Sequence, residues 1–423
     1  MNDVNLTIKG FWCTPHSPQN KWFGELNKTS KSIVLTCYAE NADLNLEDVI
    51  KSQAVHGFDE KDRPITLFRI VGRPPFVPGK HKAAQLRFAY MFRGSHFDDL
   101  ESLKASSVTF AIQQLDGWVG MTGFSRNLKG RISADEPSQI HIEYRHPNPV
   151  RHELEDGLAI EFHLDFHYSV ALREQSIRED AFLRLTKTEG LSFQEAMQMG
   201  CVFKTLLSFA SLRPVYMVSM QLHNNLADAD KDNSYRQGTE VFSPNFHEPL
   251  SMEYWESRWV FRYQHVASHF ESFFNNWLKL KNQYAEAIDC YSTTVYHRLP
   301  ASVECLCLTQ ALDAYHGVRF NSHADPDFKK KLKELAAEHK SILSEYIYDI
   351  SDFTDKAHAS RNYYTHHNPK WLRKGNVVSG VELIRMNEKL RILFQICIIS
   401  EMNIAEPRFA SLKCQIATEI FEY

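Results

Sequence analysis

The sequence predicts an α+β protein in which a β-rich, sandwich-like domain is followed by an all-α helical bundle. In the first half of the 423-residue chain, apolar and polar residues alternate with a period of two, which is typical of antiparallel strands with one buried face. After Pro249 the apolar residues recur every three or four positions, as they do on one face of an α-helix. We therefore predict a β-rich domain at residues 1–240 and a helical domain at residues 250–423.

The composition is that of an ordinary globular protein. Hydrophobic residues make up 43% of the chain and charged residues 24%, so each predicted domain has enough apolar residues to bury a core. The net charge is −4, from 48 basic and 52 acidic residues. Because this balance gives no global signature of nucleic-acid binding, any RNA site is expected to be local.

The sequence predicts a cytoplasmic protein that is not bound to a membrane. Residues 1–5 have neither the basic nor the apolar region of a signal peptide, and the apolar run at residues 392–399 is too short to span a bilayer. The eight cysteines are scattered without a C-x-x-C pair, which favours reduced thiols over disulfides or a zinc site.

Several short strands are predicted in the first 120 residues. Residues 10–12 and 22–24 are rich in glycine and aromatic residues and flank a loop that contains two prolines. Four further apolar runs have the length of strands and are separated by turn residues: 33–38, 65–71, 86–92 and 108–115. Many short strands in succession predict a sandwich or a partly closed barrel.

The alternation is clearest at residues 140–144 and 158–170, which are predicted to be half-buried strands. His163 and His167 lie on the predicted polar face of the second of these strands. Two histidines at this spacing can be metal ligands, but no third ligand accompanies them. We therefore interpret both as surface histidines.

One helix interrupts the β-rich half. Ser192 and Glu195 are the ends of a capping-box sequence, in which each side chain satisfies a backbone N–H at the start of a helix. Apolar residues continue at helical spacing as far as Ala210, and Pro214 ends the pattern. A strand is predicted at residues 215–222, and the polar residues 224–249 are predicted to connect the two domains.

A long aromatic stripe opens the helical half and runs from Trp255 through Trp259 to Trp277. Aromatic residues interleaved with cations can stack on nucleic-acid bases. At strict helical spacing they are more typical of a packed core, and we adopt that interpretation.

Three further helical segments are predicted around the candidate site. One begins at Pro300 and ends at Gly317, and the last runs from about Val381 to Met402. Between them, Asp325-Pro326 opens a segment whose lysines are interpreted as a solvated face, with a contribution to RNA binding as the alternative: Lys329, Lys330, Lys331 and Lys333.

The helix predicted at residues 343–368 carries the candidate site. Asn362 and His366 are four residues apart, so they lie side by side on one face. Arg361 lies about a third of a turn away, and its long side chain can reach the same place. His366 falls in the last turn before Pro369, where the helix dipole favours a protonated imidazole.

The surroundings of this motif favour a polyanion. No acidic residue occurs between Asp355 and Glu382, whereas the same stretch contains five cations: Lys356, Arg361, Lys370, Arg373 and Lys374. An arginine, an amide and a histidine in this setting are suited to phosphodiester chemistry. The alternative is structural, since arginine and histidine near the end of a helix often only cap its carbonyl groups.

Together these features resemble the HEPN superfamily of helical bundles. Arg361-Asn362-Tyr363-Tyr364-Thr365-His366 fits the superfamily's pattern of an arginine, a polar residue, three further positions and a histidine. The helix that contains residues 308–315 and the apolar last helix are similar to that fold. The β-rich half, with Gly10-Phe11-Trp12 and residues 24–26, is similar to the N-terminal domain of ApeA-type HEPN proteins, which are bacterial anti-phage defence proteins of the abortive-infection kind.

The resemblance implies a metal-independent endoribonuclease without a cofactor, with transfer RNA among the candidate targets. The 2′-hydroxyl of the RNA would attack the adjacent phosphorus and leave a 2′,3′-cyclic phosphate and a 5′-hydroxyl. His366 would transfer a proton, Arg361 would hold the phosphoryl oxygens, and Asn362 would position His366 or a phosphate oxygen. His367, Tyr363, Lys370 and Arg373 are further candidates for RNA contacts.

The resemblance also implies a homodimer or higher homo-oligomer, formed through the helical domain, because one motif supplies one histidine. The β-rich domain would be a sensor that responds to a phage-derived trigger. An acidic residue on an earlier helix supports the site in some members, and both Asp313 and Glu304 are candidates for it. Some members are silenced by modification of a tyrosine two residues after the motif histidine. This chain has Asn368 at that position, which argues against the same regulation here.

Two other functions fit the same sequence. The chain could be a non-catalytic protein whose helical bundle only dimerises or docks a partner. It could also be a ligand-binding β-domain, for instance a lectin-like module, with the bundle as an oligomerisation domain. Loss of RNA cleavage on mutation of His366 separates both from the nuclease.

Overall fold

A computed structural model of the chain forms two compact units. The first contains Met1–Lys204 and Tyr216–Met252, and the second contains Thr205–Val215 and Glu253–Tyr423. The structure describes the following residues: 5–39, 46–72, 76–77, 82–101, 103–124, 143–171, 174–224, 238–247, 259–322, 327–373, 375–404 and 407. No helix among them is long and apolar enough to cross a membrane.

The first unit is built mainly from strands. They are β1 (Leu6–Trp12), β2 (Trp22–Lys28), β3 (Ile33–Ala39), β4 (Ala54–Phe58), β5 (Pro64–Ile70), β6 (Phe76–Val77), β7 (Lys82–Arg93), β8 (Lys104–Ile112), β9 (Val150–Glu153), β10 (Leu158–Ala171), β11 (Glu174–Ser192), β12 (Met217–His223) and β13 (Thr239–Phe242). Two short helices, α1 (Leu46–Ser52) and α2 (Leu115–Val119), and one long helix, α3 (Phe193–Ser211), accompany them.

Every pairing among the described strands is antiparallel. The main order is β1-β2-β3-β7-β13-β12-β8-β11-β10-β9, with β4, β5 and β6 branching from it at β7. The long strand β7 pairs with β3 over residues 82–87 and with β5 over residues 88–93. It therefore joins two sheets, and the predicted antiparallel, β-rich N-terminal region is confirmed.

One apolar core lies among β1–β5 and β7 of this unit. Trp12 is its largest fully buried side chain, and it contacts the backbone of β4 so closely that a Cβ atom at Gly57 would lie 2.4 Å from its ring. Only glycine fits at that position. The other members of the core are mostly branched and aromatic residues that alternate along their strands: Ile8, Trp22, Leu26, Ile33, Leu35, Val55, Ile65, Leu67, Leu86, Phe88 and Met91.

The interpretation of His163 as a surface histidine is wrong. Strand β10 has buried residues on both faces over residues 159–164, where Glu161 is half-buried, and it is exposed on both faces over residues 166–170. His163 is only 3% exposed and stacks on Phe182 of β11, with ring centroids 5.6 Å apart. Burial lowers the pKa of His163 to about 3, with Arg184 adding to the effect. His167, farther along the strand, is exposed as predicted.

The predicted capping box is present at the start of α3. The Ser192 hydroxyl accepts from the backbone N–H of Glu195 at 3.2 Å, and the Glu195 carboxylate accepts from the backbone N–H of Ser192 at 2.9 Å. The Ser192 hydroxyl also donates to this carboxylate at 2.7 Å, and this hydrogen bond, with that from the Ser192 backbone and one from Lys187, lowers the pKa of Glu195 to about 2. The last residues of α3 belong to the second unit, where the ring of Phe209 packs against Trp277 and Tyr291.

The second unit is helical, as predicted. Its helices are α4 (Phe270–Gln283), α5 (Ala285–Tyr296), α6 (Ala301–Phe320), α7 (Phe328–Glu338), α8 (Lys340–Leu343), α9 (Ile350–His366), α10 (Pro369–Leu372) and α11 (Gly380–Glu401). Aromatic side chains pack between the apolar faces of these helices, and two of them, Trp277 and Phe394, are fully buried.

The aromatic stripe is packed core, but only part of it is an α-helix. Trp259, Tyr263 and Val266 are buried in a segment with two 3₁₀ turns, and the α-helix begins at Phe270. The 3.0-residue period of a 3₁₀ turn also fits aromatic residues spaced three or four apart. Trp255 lies outside the described residues, as do residues 140–142, 225–237, 249, 325–326 and 374.

Two predicted helix ends differ from the structure. α6 continues past Gly317 to Phe320, and Asn321, with φ = 50°, takes the left-handed cap position. The helix of the candidate site begins at Ile350 rather than near Leu343, because the Asp349 side chain accepts from the backbone N–H groups of Ser351 and Asp352.

Candidate active site

Helix α9 is anchored at both ends. Asp349 caps its N-terminus, and Phe353 and Ala357 bury its apolar face. Near the C-terminus, the Tyr364 hydroxyl donates to the carbonyl of Val378 at 2.8 Å, and the Ser360 hydroxyl accepts from the N–H of Val378 at 3.1 Å. These contacts hold the turn that carries the Arg–Asn–His motif against the segment before α11.

The helix stops directly after the motif histidine. His367 adopts a left-handed conformation with φ = 47°, and its N–H donates to the carbonyl of Tyr363 at 2.6 Å. Asn368 then caps the short helix α10 through its side chain, which accepts from the N–H of Lys370 at 3.1 Å, and Pro369 occupies the first position of that helix. His366 therefore lies in the last turn of α9, as predicted, with an exposed side chain.

A cavity of about 390 Å³ brings the motif residues together. Arg361, Asn362, Thr365 and His366 of α9 form one wall. The facing wall consists of residues that the sequence did not single out, from α5 and α6: Cys290, Leu306, Cys307, Thr309 and Gln310. All three predicted catalytic residues thus line one concave site.

Arg361 is held in place by an acidic residue on α6. Its guanidinium donates to the Asp313 carboxylate at 3.0 Å, and the other Asp313 oxygen accepts from Lys331 of α7 at 2.9 Å. The guanidinium also lies over the ring of Phe328, 4.8 Å from its centroid. Lys331 is only 4% exposed, so the interpretation of this lysine as part of a solvated face is wrong.

The two candidate acidic residues have different partners. Asp313 contacts the motif arginine, whereas Glu304 pairs with Arg391 and accepts from Asn387 on α11. Only Asp313 among them is joined to the candidate site.

Asn362 is bonded to the preceding turn of its own helix. Its side-chain nitrogen lies 3.0 Å from Nε2 of His358 and 3.0 Å from the carbonyl oxygen of the same residue. Burial lowers the pKa of His358, while Asp327 raises it and Arg361 lowers it further. The ring of Trp371 from α10 meets the His358 ring edge to face, with centroids 5.5 Å apart.

The four further candidates for RNA contacts lie beside the cavity rather than in its lining. Tyr363 is half-buried, with its ring 5.8 Å from that of His367. Lys370 is exposed, with its ammonium 5.6 Å from the Trp371 ring centroid, and Arg373 is exposed beyond the end of α10. All four follow or flank the last turn of α9, and their role stays a prediction.

Two thiols in the facing wall are poor nucleophiles. Burial is the main cause that raises the pKa of both Cys290 and Cys307, and nearby acidic residues add to it. In the described part of the chain, no group of three or more histidine, cysteine, aspartate or glutamate side chains is placed to hold a metal ion.

Two protein-family models match the chain. The model described as ApeA N-terminal domain 1 matches residues 7–277, more than half of the sequence. The model described as Apea-like HEPN matches residues 266–407, which contain the whole Arg–Asn–His motif and Asp313. No curated protein and no solved structure gave a significant match.

The two matches follow one another along the chain in the order of the β-rich and helical regions. HEPN domains are generally ribonucleases that bind RNA and commonly dimerise, which supports a nuclease in a defence role at this level of detail. The chain belongs to the ApeA-type family of HEPN-domain defence proteins.

Proposed function

We propose that the chain is a metal-independent endoribonuclease that cleaves RNA by attack of the substrate's own 2′-hydroxyl. The observation that supports it best is the single cavity lined by Arg361, Asn362 and His366. The products of this reaction are a 2′,3′-cyclic phosphate and a 5′-hydroxyl. No water molecule enters the bond-breaking step, so the site needs only proton transfer and stabilisation of charge on the phosphorane.

Arg361 supplies the charge stabilisation. A guanidinium has five N–H donors. One of its nitrogens donates to Asp313, and its face lies over the ring of Phe328. The side chain remains about a quarter exposed beside the cavity, so further donors are available to the phosphoryl oxygens. Because the guanidinium is already fixed, it loses little conformational entropy when it binds the charge that develops on the substrate.

His366 supplies the proton transfer. Its side chain is exposed and lines the same cavity as Arg361, so it can reach either the 2′-hydroxyl or the leaving 5′-oxygen. Cleavage needs both a base and an acid, and one motif offers one such histidine. We therefore propose a homodimer, or a higher homo-oligomer, in which two helical units contribute to one catalytic site.

The RNA would continue beyond the cavity along the C-terminal end of α9. Lys370 and Arg373 are exposed there and would contact phosphates, while Tyr363 and His367 offer rings for a base. Such contacts position RNA without specifying its sequence. Transfer RNA is one candidate target.

In the cell this activity would serve abortive infection from the cytoplasm. A free ribonuclease damages its own host, so we propose that the β-rich region acts as a sensor and restrains the helical unit until a phage-derived trigger appears. Such a trigger acts only through a difference in its affinity for the restrained and active arrangements.

The test is to sequence RNA ends in cells that produce the wild-type chain or the His366→Ala variant, with and without phage. We expect new 5′-hydroxyl and cyclic-phosphate ends in infected wild-type cells that are lost in His366→Ala. His297→Ala is the matched control, because His297 is exposed at the end of α5 and does not line the cavity. Identical RNA ends in all three strains would instead favour the non-catalytic interaction protein.

A further inference from the structure

The amide of Asn362 has one orientation in the structure, and His358 determines it. A backbone carbonyl oxygen can only accept, so the atom 3.0 Å from the His358 carbonyl must be the amide nitrogen of Asn362. The same nitrogen lies 3.0 Å from Nε2 of the His358 ring. Both amide protons are thus directed at His358, and the carbonyl oxygen of Asn362 is on the opposite side of the amide group.

This arrangement requires a neutral His358. Nε2 must be unprotonated to accept from the amide, so the ring proton is on Nδ1. Nδ1 is buried, and no described residue accepts a hydrogen bond from it. A doubly protonated ring would instead direct its Nε2–H at the amide protons of Asn362, and it would place its charge in a buried position.

The charged groups around the ring do not reverse this preference. Asp327 and Lys329 approach from the segment that begins α7, and Asp355 and Arg361 approach from α9 itself. Lys329 is paired with Asp355 at 2.5 Å, so these two charges largely offset each other. The ring of Trp371, from α10, packs against the His358 ring and carries no charge. Burial and Arg361 hold the pKa of His358 below the ordinary value despite the two carboxylates.

We propose that His358 is a positioning residue that locks Asn362 so that a hydrogen-bond acceptor, rather than a donor, faces the cavity beside His366. This inference rests on the proposed ribonuclease function and deepens it. A carbonyl oxygen repels a phosphate oxygen, so Asn362 does not bind the phosphate in this arrangement. It is suited to accept from the ribose 2′-hydroxyl or from an N–H of His366, and the 2′-hydroxyl distinguishes RNA from DNA.

Protonation of His358 would undo the lock. Nε2–H would require the amide to turn, but the turned amide would place its oxygen against the carbonyl oxygen of His358. The active orientation is therefore present above the lowered pKa of His358 and is lost as the pH falls through it. We therefore expect the pH–rate profile to show, on its acid side, an ionisation that belongs to His358 and not to His366.

The experiment compares two substitutions of one residue. In His358→Gln the side-chain amide reaches the position of Nε2 and can present an oxygen acceptor there, but it does not titrate. In His358→Leu the acceptor is lost. We expect His358→Leu to lower kcat about three- to tenfold with little change in KM, as for one lost hydrogen bond, and His358→Gln to restore most of the rate.

The pH profile separates positioning from a merely structural role. The rate of His358→Gln relative to wild type should rise as the pH falls through the pKa of His358, which burial holds below the ordinary value of about 6.5, because only the wild type loses its lock. A ratio that is independent of pH, or a His358→Leu variant with the wild-type rate, would overturn the proposal.

A second measurement does not depend on catalysis. In wild-type protein labelled with ¹⁵N-histidine, the signal that disappears in His358→Gln should show a neutral ring with its proton on Nδ1 at pH 7. A charged ring, or a proton on Nε2, overturns the proposal whatever the activity of the variants. If wild type and His366→Ala leave RNA equally intact, the ribonuclease proposal fails, while the NMR result still decides the role of His358.

Discussion

Substitution of Asp313 by asparagine should destabilise the helical unit more than an exposed ion pair would. Asp313 accepts from Arg361 at 3.0 Å and from Lys331 at 2.9 Å, and the Lys331 side chain is only 5% exposed. Removal of the carboxylate leaves a buried ammonium without its described anionic partner. Loss of one partner of a buried pair costs about 3–5 kcal/mol.

The expected cost is at the lower end of that range. Asp313 and Arg361 are about a fifth and a quarter exposed, so water screens part of the interaction. We therefore expect Asp313→Asn to lower the free energy of unfolding by about 3 kcal/mol. At about 2–4 °C for each kcal/mol in a unit of this size, the melting temperature should fall by roughly 6–12 °C.

A double-mutant cycle with Lys331 tests whether the loss of stability comes from the pair between Asp313 and Lys331. Lys331→Met removes the buried cation, so the double variant should be more stable than Asp313→Asn alone. Asp355→Asn is the matched control, because Asp355 also joins α9 to α7 through a lysine, but that pair is about one-third exposed on each side. The control should cost at most about 1 kcal/mol.

Thermal or urea denaturation of the wild type and the four variants decides the question. Equal melting temperatures for Asp313→Asn and Asp355→Asn, or a coupling energy between Asp313 and Lys331 below about 0.5 kcal/mol, would refute the view that this carboxylate holds a buried network together.

Other consequences of the structure can be tested in parallel. His366→Ala should lower RNA cleavage by about 10²–10⁴-fold with a nearly unchanged melting temperature, because its side chain is exposed. Arg361→Ala should lower cleavage by about 10²–10³-fold and also lower the melting temperature, because it removes the ion pair with Asp313; full activity in either folded variant would contradict the site assignment. Cleavage should persist in EDTA and leave cyclic-phosphate ends, whereas 5′-phosphate products would indicate a different nuclease mechanism. Asp59 is buried, which raises its pKa, but hydrogen bonds from the Arg63 backbone, Arg93 and other donors lower it to about 2. The stability that it contributes should be lost as the pH falls from about 4 to 2, and Asp59→Asn should lack that loss in urea denaturation. Phe209→Ala should destabilise the helical unit by about 3–5 kcal/mol, and an unchanged melting curve would show that this ring is not part of its core.

Local sequence signals predicted the elements that depend on local hydrogen bonds. The Ser192–Glu195 box marked the start of α3, because its two side chains satisfy backbone groups within the same turn. The face that a strand presents to solvent is decided by distant residues instead. The alternation along β10 predicted one solvent-exposed face. Pairing with β11 instead places Phe182 against His163, and both faces of the N-terminal half of β10 are buried.

The candidate site divides in the same way. Asn362 and His366 could be placed together from their spacing, because i and i+4 positions are neighbours on any α-helix. The choice between Asp313 and Glu304 could not be made. They are nine residues apart, and nine steps of about 100° place them on opposite sides of α6. Either can face the motif until the packing of α6 against α9 and α11 is known.

The ion-pair network of Asp313, Lys331 and Arg361 explains how Arg361 can be fixed in position and still attract a phosphate. One carboxylate, Asp313, serves two cations, Lys331 and Arg361, so the three groups together carry a net charge of about +1. If Asp313 served Arg361 alone, the pair would be neutral and its attraction for a phosphate would be much weaker. Lys331 has its own side chain buried and is not placed in the cavity lining. By sharing the carboxylate, it leaves the excess positive charge at the more exposed guanidinium, where the substrate phosphate is expected to bind.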